Sequence, residues 1–251
     1  MITGFFDWLR DPVNWSGIDG IPNRLIEHIG YSVLALILAA AIGIPLGLYI
    51  GHTGKGKFLV AGLANAFRAL PTLGLVILAA IIVGPLLPGD AAYLVPSIFV
   101  LVVLAVPPIL ATTYAGVEGV DEAARDAAYG MGMTGGQVLF KIETPCALPL
   151  MMSGIRSAML QIVSTATIAA VVSLGGLGRF VLDGLANQQY QVMLGGAILV
   201  ALLAVAFELV LAFVQWLLVP RGLSKRTGRR DLVAETAAES DVKEEELVAA
   251  R

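Results

Sequence analysis

Long apolar runs restrict this chain more than any other feature in it. About 20 residues, at about 1.5 Å rise each, cross a hydrocarbon core about 30 Å thick as a helix that satisfies its own backbone. Runs of that length occupy 30–50, which holds no charge, 92–110, 155–174 and 193–219. A further run, 58–83, is interrupted by Arg68 and Pro71. It reads either as one span or as two short helices meeting at Pro71 and lying partly inside the protein. The expected fold class is all-α: a polytopic integral membrane protein with about five transmembrane helices, six being possible. Composition agrees, since 57% of the 251 residues are hydrophobic and 14% charged, where a soluble domain carries about 25% charged.

Lysine and arginine mark the cytoplasmic side. With the amino terminus outside, five crossings place 51–57, 111–154 and the carboxyl tail in the cytoplasm. Lys55, Lys57, Arg125, Lys141, Arg221, Lys225, Arg226, Arg229 and Arg230 then lie there. The opposite side holds Arg10, Arg24 and Arg179 among several aspartates. A sixth crossing would send one basic cluster to the wrong side. Residues 1–28 form an extracytoplasmic segment with Phe5, Phe6, Trp8 and Trp15, suited to an interfacial helix at headgroup level or to a poorly ordered lead-in. The spans occupy 29–220. The tail 221–251 is basic and then acidic, with Glu244, Glu245 and Glu246 in a row, as solvated disordered segments are.

Between the third and fourth spans lies the longest polar stretch of the membrane region, about 118–146. Asp121 can cap a short helix through Glu122, Ala123, Ala124, Arg125, Asp126, Ala127 and Ala128, which Gly130 and Gly132 end. Thr134 with Gln137 three residues on is a capping-box signature for a second helix, with Val138, Leu139 and Ile142 at helical spacing and Pro145 and Pro149 closing it. An amphipathic connector on the membrane surface is one reading. Small alanines beside carboxylates fit better a smooth surface that inserts into another protein's groove.

This segment resembles the cytoplasmic coupling loop of ABC-importer permeases, whose pattern is Glu-Ala-Ala, three residues, Gly, nine residues, Ile, one residue, Leu-Pro. Glu122-Ala123-Ala124 matches the opening letters but meets Ala128 where glycine belongs. From Asp126, the pattern finds Ala127, Ala128, Gly132, Ile142 and Pro145 at each spacing. That register is adopted here. It departs in having Asp for Glu at 126 and Thr for Leu at 144, and Glu122, one turn earlier, can supply the longer acidic arm. Gly130 to Thr134, Gln137 to Lys141, Arg68 to Leu75 and Pro108 to Leu110 further resemble the glycine betaine, carnitine and choline permeases. The resemblance covers about 28–220. It implies a prokaryotic cell-membrane complex of two permease subunits (identical or different), two ABC ATPase subunits and an extracytoplasmic solute-binding protein. It also implies alternating access driven by ATP hydrolysed in the partner, with no covalent chemistry and no cofactor in this chain.

Other features of the sequence leave that picture unchanged. Gly51 to Lys57 matches all of a phosphate-binding P-loop but its last place, where Phe58 replaces the hydroxyl needed for magnesium, and an apolar span stands where a strand belongs. It reads as a basic turn. His28 and His52 lie too far apart for metal-ligand spacing, Cys146 is the single cysteine, and a net charge of −3 gives no sign of a nucleic-acid partner. Gly43, Gly47 and Gly51 give the first span a small face for close helix packing, within the subunit or in a dimer seam.

Arg68 and Glu208 are expected as the ionisable residues inside spans. Arg68 admits three roles: a snorkel at the cytoplasmic end, a structural pair with Glu208, or a path-lining group. Pro71, Gln161, Ser164 and Thr165 are candidates for a polar path, although such hydroxyls commonly satisfy neighbouring helices. Aromatic residues make up 7% of the chain. Selectivity for quaternary ammonium, which aromatic cages supply, is therefore expected in the binding protein. The rivals are a permease for another small solute such as an amino acid, and an ion-coupled secondary transporter, which would want internal repeats or paired acids at mid-membrane.

Overall fold

The computed structural model of this protein describes residues 2–58, 60, 62 and 70–219. A short helix α1 (Ile2–Arg10) and a 3-10 turn (Pro12–Trp15) precede the first long helix, α2 (Ile21–Thr53). Then come α3 (Thr72–Val83), α4 (Ala91–Glu118) and two short elements, α5 (Glu122–Gly130) and α6 (Gly135–Val138). A π turn (Leu139–Glu143) joins α6 to α7 (Thr144–Ala169), and α8 (Gly178–Ala186) and α9 (Tyr190–Leu218) complete the described chain. Four stretches are long and apolar enough to cross a membrane: Ile21–Thr53, Ala91–Glu118, Gly135–Val172 and Tyr190–Leu218. The shorter apolar helix Thr72–Leu86 belongs to the remaining expected span.

Helix α4 is the axis of the bundle. It is the most buried of the four long apolar stretches, and Val100, Leu101, Leu104, Ala105 and Ile109 are all buried. They meet Ala35 and Ala39 of α2, Val76 of α3 and Ala158, Ile162 and Ala166 of α7 in one core. Small residues on the outer helices let them approach α4 closely, which matters in lipid because dispersion contacts there replace the hydrophobic effect. The Gly43, Gly47 and Gly51 face serves this purpose within the subunit. A Cβ at Gly47 would sit 2.6 Å from Thr113 Cβ, and one at Gly51 would sit 2.6 Å from Val117 Cβ. On the other flank Gly154 of α7 lies against Thr112, whose hydroxyl donates to the Pro108 carbonyl at 2.8 Å. Helix α9 differs: only Gly195, Gly196 and Leu203 are buried, so most of its apolar surface is open to lipid or to a partner.

Several boundaries differ from the sequence reading. The first long helix starts at Ile21, not 30, because Pro22 near its start needs no backbone donor. Helix α3 begins only at Thr72, with Pro71 in an extended conformation at its N-cap, so the proline does break the second stretch. Pro145 and Pro149 do not close a helix. Pro145 has no N–H for the carbonyl four residues back, and the backbone widens into the π turn instead of stopping. The Thr144 N–H donates to Leu139 O, and the Thr144 hydroxyl donates to the same oxygen at 2.8 Å. The fourth span consequently runs on from the polar loop as one stretch, Gly135–Val172. Trp8 packs inside the subunit. It is buried against Gly195 of α9, with Phe180 edge-on at 5.5 Å between ring centroids.

Candidate functional site

The polar loop folds as a two-part lever. The Asp121 carboxylate accepts from the Ala123 N–H at 3.1 Å and starts α5. Gly132 ends it with φ +82, a left-handed conformation that costs other residues about 1–2 kcal/mol. Two bonds lock that ending: Met133 N–H to Ala128 O at 3.1 Å and Gly132 N–H to Tyr129 O at 2.9 Å. A full capping box follows, with the Gln137 side chain accepting from Thr134 N–H at 2.9 Å. Along α5, Ala128 is buried, while Glu122, Ala123, Ala124, Asp126 and Ala127 are exposed. The outward face is therefore small residues flanked by two carboxylates. Ile142 and Pro145 are half-buried where the lever joins α7.

What holds the lever in place was not read from the sequence. Glu143 is only 2% exposed. Its carboxylate accepts from Arg125 Nε at 2.7 Å and lies 2.6 Å from His52 Nδ1. Arg125 also donates to the Val117 carbonyl. Beside them Lys57 donates to Glu118 at 2.5 Å, and this hydrogen bond raises the lysine above its ordinary range. Lys57, the would-be P-loop lysine, is thus spent on holding the end of α4. The ends of α2 and α4, the lever and the start of α7 accordingly share one end of the molecule. Spacing alone hides this, because Glu143 is 91 residues from His52.

The intramembrane candidates do not converge on one site. Arg68 lies outside the described residues. Pro71 starts α3. Gln161 and Ser164 lie on an open face of α7 with Ser153 and Ser157, whereas Thr165 is buried in the core. The Ser164 hydroxyl donates to Leu160 O at 3.0 Å. Glu208 has a partner that the sequence reading overlooked: Arg156, inside the fourth span, donates to it and also to Gln215 at 2.8 Å. The pair fastens α9 to α7, and Arg156 joins Glu208 as a charge within a span. Among the described residues, no group of three His, Cys, Asp or Glu side chains is placed to hold a metal.

At the opposite end, Gly175 and Gly176 adopt φ +89 and +70 and bend the chain between α7 and α8. The Gly176 N–H donates to Glu27 at 2.8 Å and the Leu177 N–H to His28 Nδ1 at 3.3 Å. The other ring nitrogen of buried His28 faces Val163 O at 3.3 Å. Both bonds tie this bend to α2.

An all-helical bundle with a charged helical lever at one end defines a polytopic membrane permease of the importer type. The chain belongs to the family described as binding-protein-dependent transport system inner membrane component, whose profile matches residues 43–222. It is 36% identical over 197 residues to the glycine betaine/carnitine/choline transport system permease protein OpuCB of Bacillus subtilis (strain 168), covering 78% of this chain and 88% of that protein. It is also 36% identical to the choline transport system permease protein OpuBB of the same organism, covering 80% and 90%. A solved MetNI methionine ABC transporter in an inward-facing conformation shares the fold, with TM-score 0.67, 20% identity, and 80% and 96% of the two chains covered.

Proposed function

We propose that this chain is the transmembrane permease subunit of an ATP-driven importer for quaternary-amine compatible solutes: glycine betaine, choline or carnitine. It works beside a second permease subunit, a pair of ABC ATPases and an extracytoplasmic binding protein, and itself does no covalent chemistry. The observation that carries this reading is α5, whose exposed Glu122, Asp126, Ala123 and Ala127 face outward from an end where three long helices meet. Closure of the ATPases upon ATP binding moves that lever, and the bundle changes the side to which its path opens. Identity of 36% to betaine and choline permeases favours this solute class. The methionine transporter, at 20%, shares the fold alone. An ion-coupled carrier is disfavoured because Glu208, the acid within the last span, is already paired with Arg156. Gln161 and Ser164 line the path in this reading, with the lever in the cytoplasm and the amino terminus outside.

The test is uptake of labelled glycine betaine, choline and carnitine into vesicles carrying only this system, with ATP and with or without a proton gradient. Uptake needs ATP and ignores the gradient. Asp126→Lys leaves the subunit inserted and abolishes uptake. Gradient-driven uptake, or full uptake in the Asp126 variant, rules the proposal out.

A further inference from the structure

Glu143 has no place in the family pattern, where it fills the unspecified position after Ile142. Yet it is the buried charge on which the inner end of the bundle closes. Its partners come from different elements: Arg125 from α5 and His52 from the last turn of α2. An ionised carboxylate only accepts, so His52 Nδ1 carries the hydrogen of that bond. Chain continuity links the lever to α4 through 119–121 and to α7 through the π turn. Helix α2 has no such continuity with it: it reaches the lever through its packing on α4 and, among the described side-chain bonds, directly through His52. A carboxylate held out of water is tolerable only while its partners stay in place, so α2 cannot part from the lever without stripping one of the two partners from a buried carboxylate.

The geometry points to Glu143 as the positioning residue that recruits α2 to the lever, through His52, so that one push moves α2, α4 and α7 together. This rests on the proposed coupling role of α5. The test uses the complete transporter in proteoliposomes, with Cys146→Ser and spin labels at Lys55→Cys and Lys141→Cys, both exposed positions outside the docking face of α5. In the parent the label separation stays narrow when ATP binds, because the two ends travel together. In Glu143→Ala and in His52→Ala it broadens, and glycine betaine taken up per ATP hydrolysed falls about tenfold, a usual size for coupling between sites. Glu143→Gln can still accept from Arg125 and donate to His52, so it restores a narrow separation. Should Glu143→Ala not insert, His52→Ala decides alone, since it leaves the Arg125–Glu143 pair whole. Narrow separations and parental uptake per ATP in the alanine variants overturn the assignment. If Asp126→Lys is also harmless, the lever reading itself is wrong; if Asp126→Lys abolishes uptake, only the α2 link is.

Discussion

Gly132 matters through one backbone angle and nothing else. No atom lies within 4 Å of where its Cβ would stand, so a substitution meets strain without a clash. Gly132→Val should therefore cost about 1–2 kcal/mol locally, felt as a frayed lever. Gly132→Asn should cost much less, since asparagine visits the left-handed region readily. Uptake by the two variants at equal membrane abundance checks this: valine abolishes most of it and asparagine keeps most. Equal loss in both would mean that the glycine is there for surface contact and not for its conformation. The spacing of the pattern identifies Gly132 in the sequence, and the structure supplies the reason for it. Glu143 and Arg156 carry no such signal. Each looks like an ordinary charge until a partner 91 or 52 residues away is brought beside it.

Among the elements, α2 and α4 pack closely, and the contact depends on absent side chains. Gly47→Leu should force the helices apart at Thr113, costing about 1–3 kcal/mol as other overpacked cores do. Gly30→Leu, at a position with open space, should be neutral. Thermal unfolding of the detergent-solubilised subunit separates them, with a lowered midpoint expected for Gly47→Leu only. The π turn at Leu139–Glu143 makes a different point. Prolines were read as helix ends, whereas a single widened turn lets the lever run into α7 without a joint. Helices α6 and α7 thus form one continuous stretch, Gly135–Val172, as the proposed coupling role requires.

For the molecule as a whole, the two ends are chemically distinct. One gathers His52, Lys57, Glu118, Arg125 and Glu143 around the lever. The other ties Asp19, Arg24 and Glu27 to the glycine bend at 175–176. In the proposed orientation, which puts the basic end in the cytoplasm, a cysteine at Asp19 in a Cys146→Ser background should react with an impermeant maleimide added to whole cells. A cysteine at Asp121 should react only after the membrane is opened. The reverse pattern would invert the proposed orientation and place the lever out of reach of any cytoplasmic ATPase.

The long apolar stretches, the all-helical class and the short helix from Glu122 were legible in the sequence because each is written locally. Twenty apolar residues, a capping aspartate and a glycine at a helix end act through neighbours within a few positions. Tertiary structure alone decided which charges are buried, which prolines bend a helix without ending it, and which glycines face another helix. Those outcomes depend on partners far along the chain, and in an apolar interior a charge is settled by what stands beside it. The sequence contains Glu143, His52 and Arg125; only the packing of α2 against α4 and α7 makes them one site.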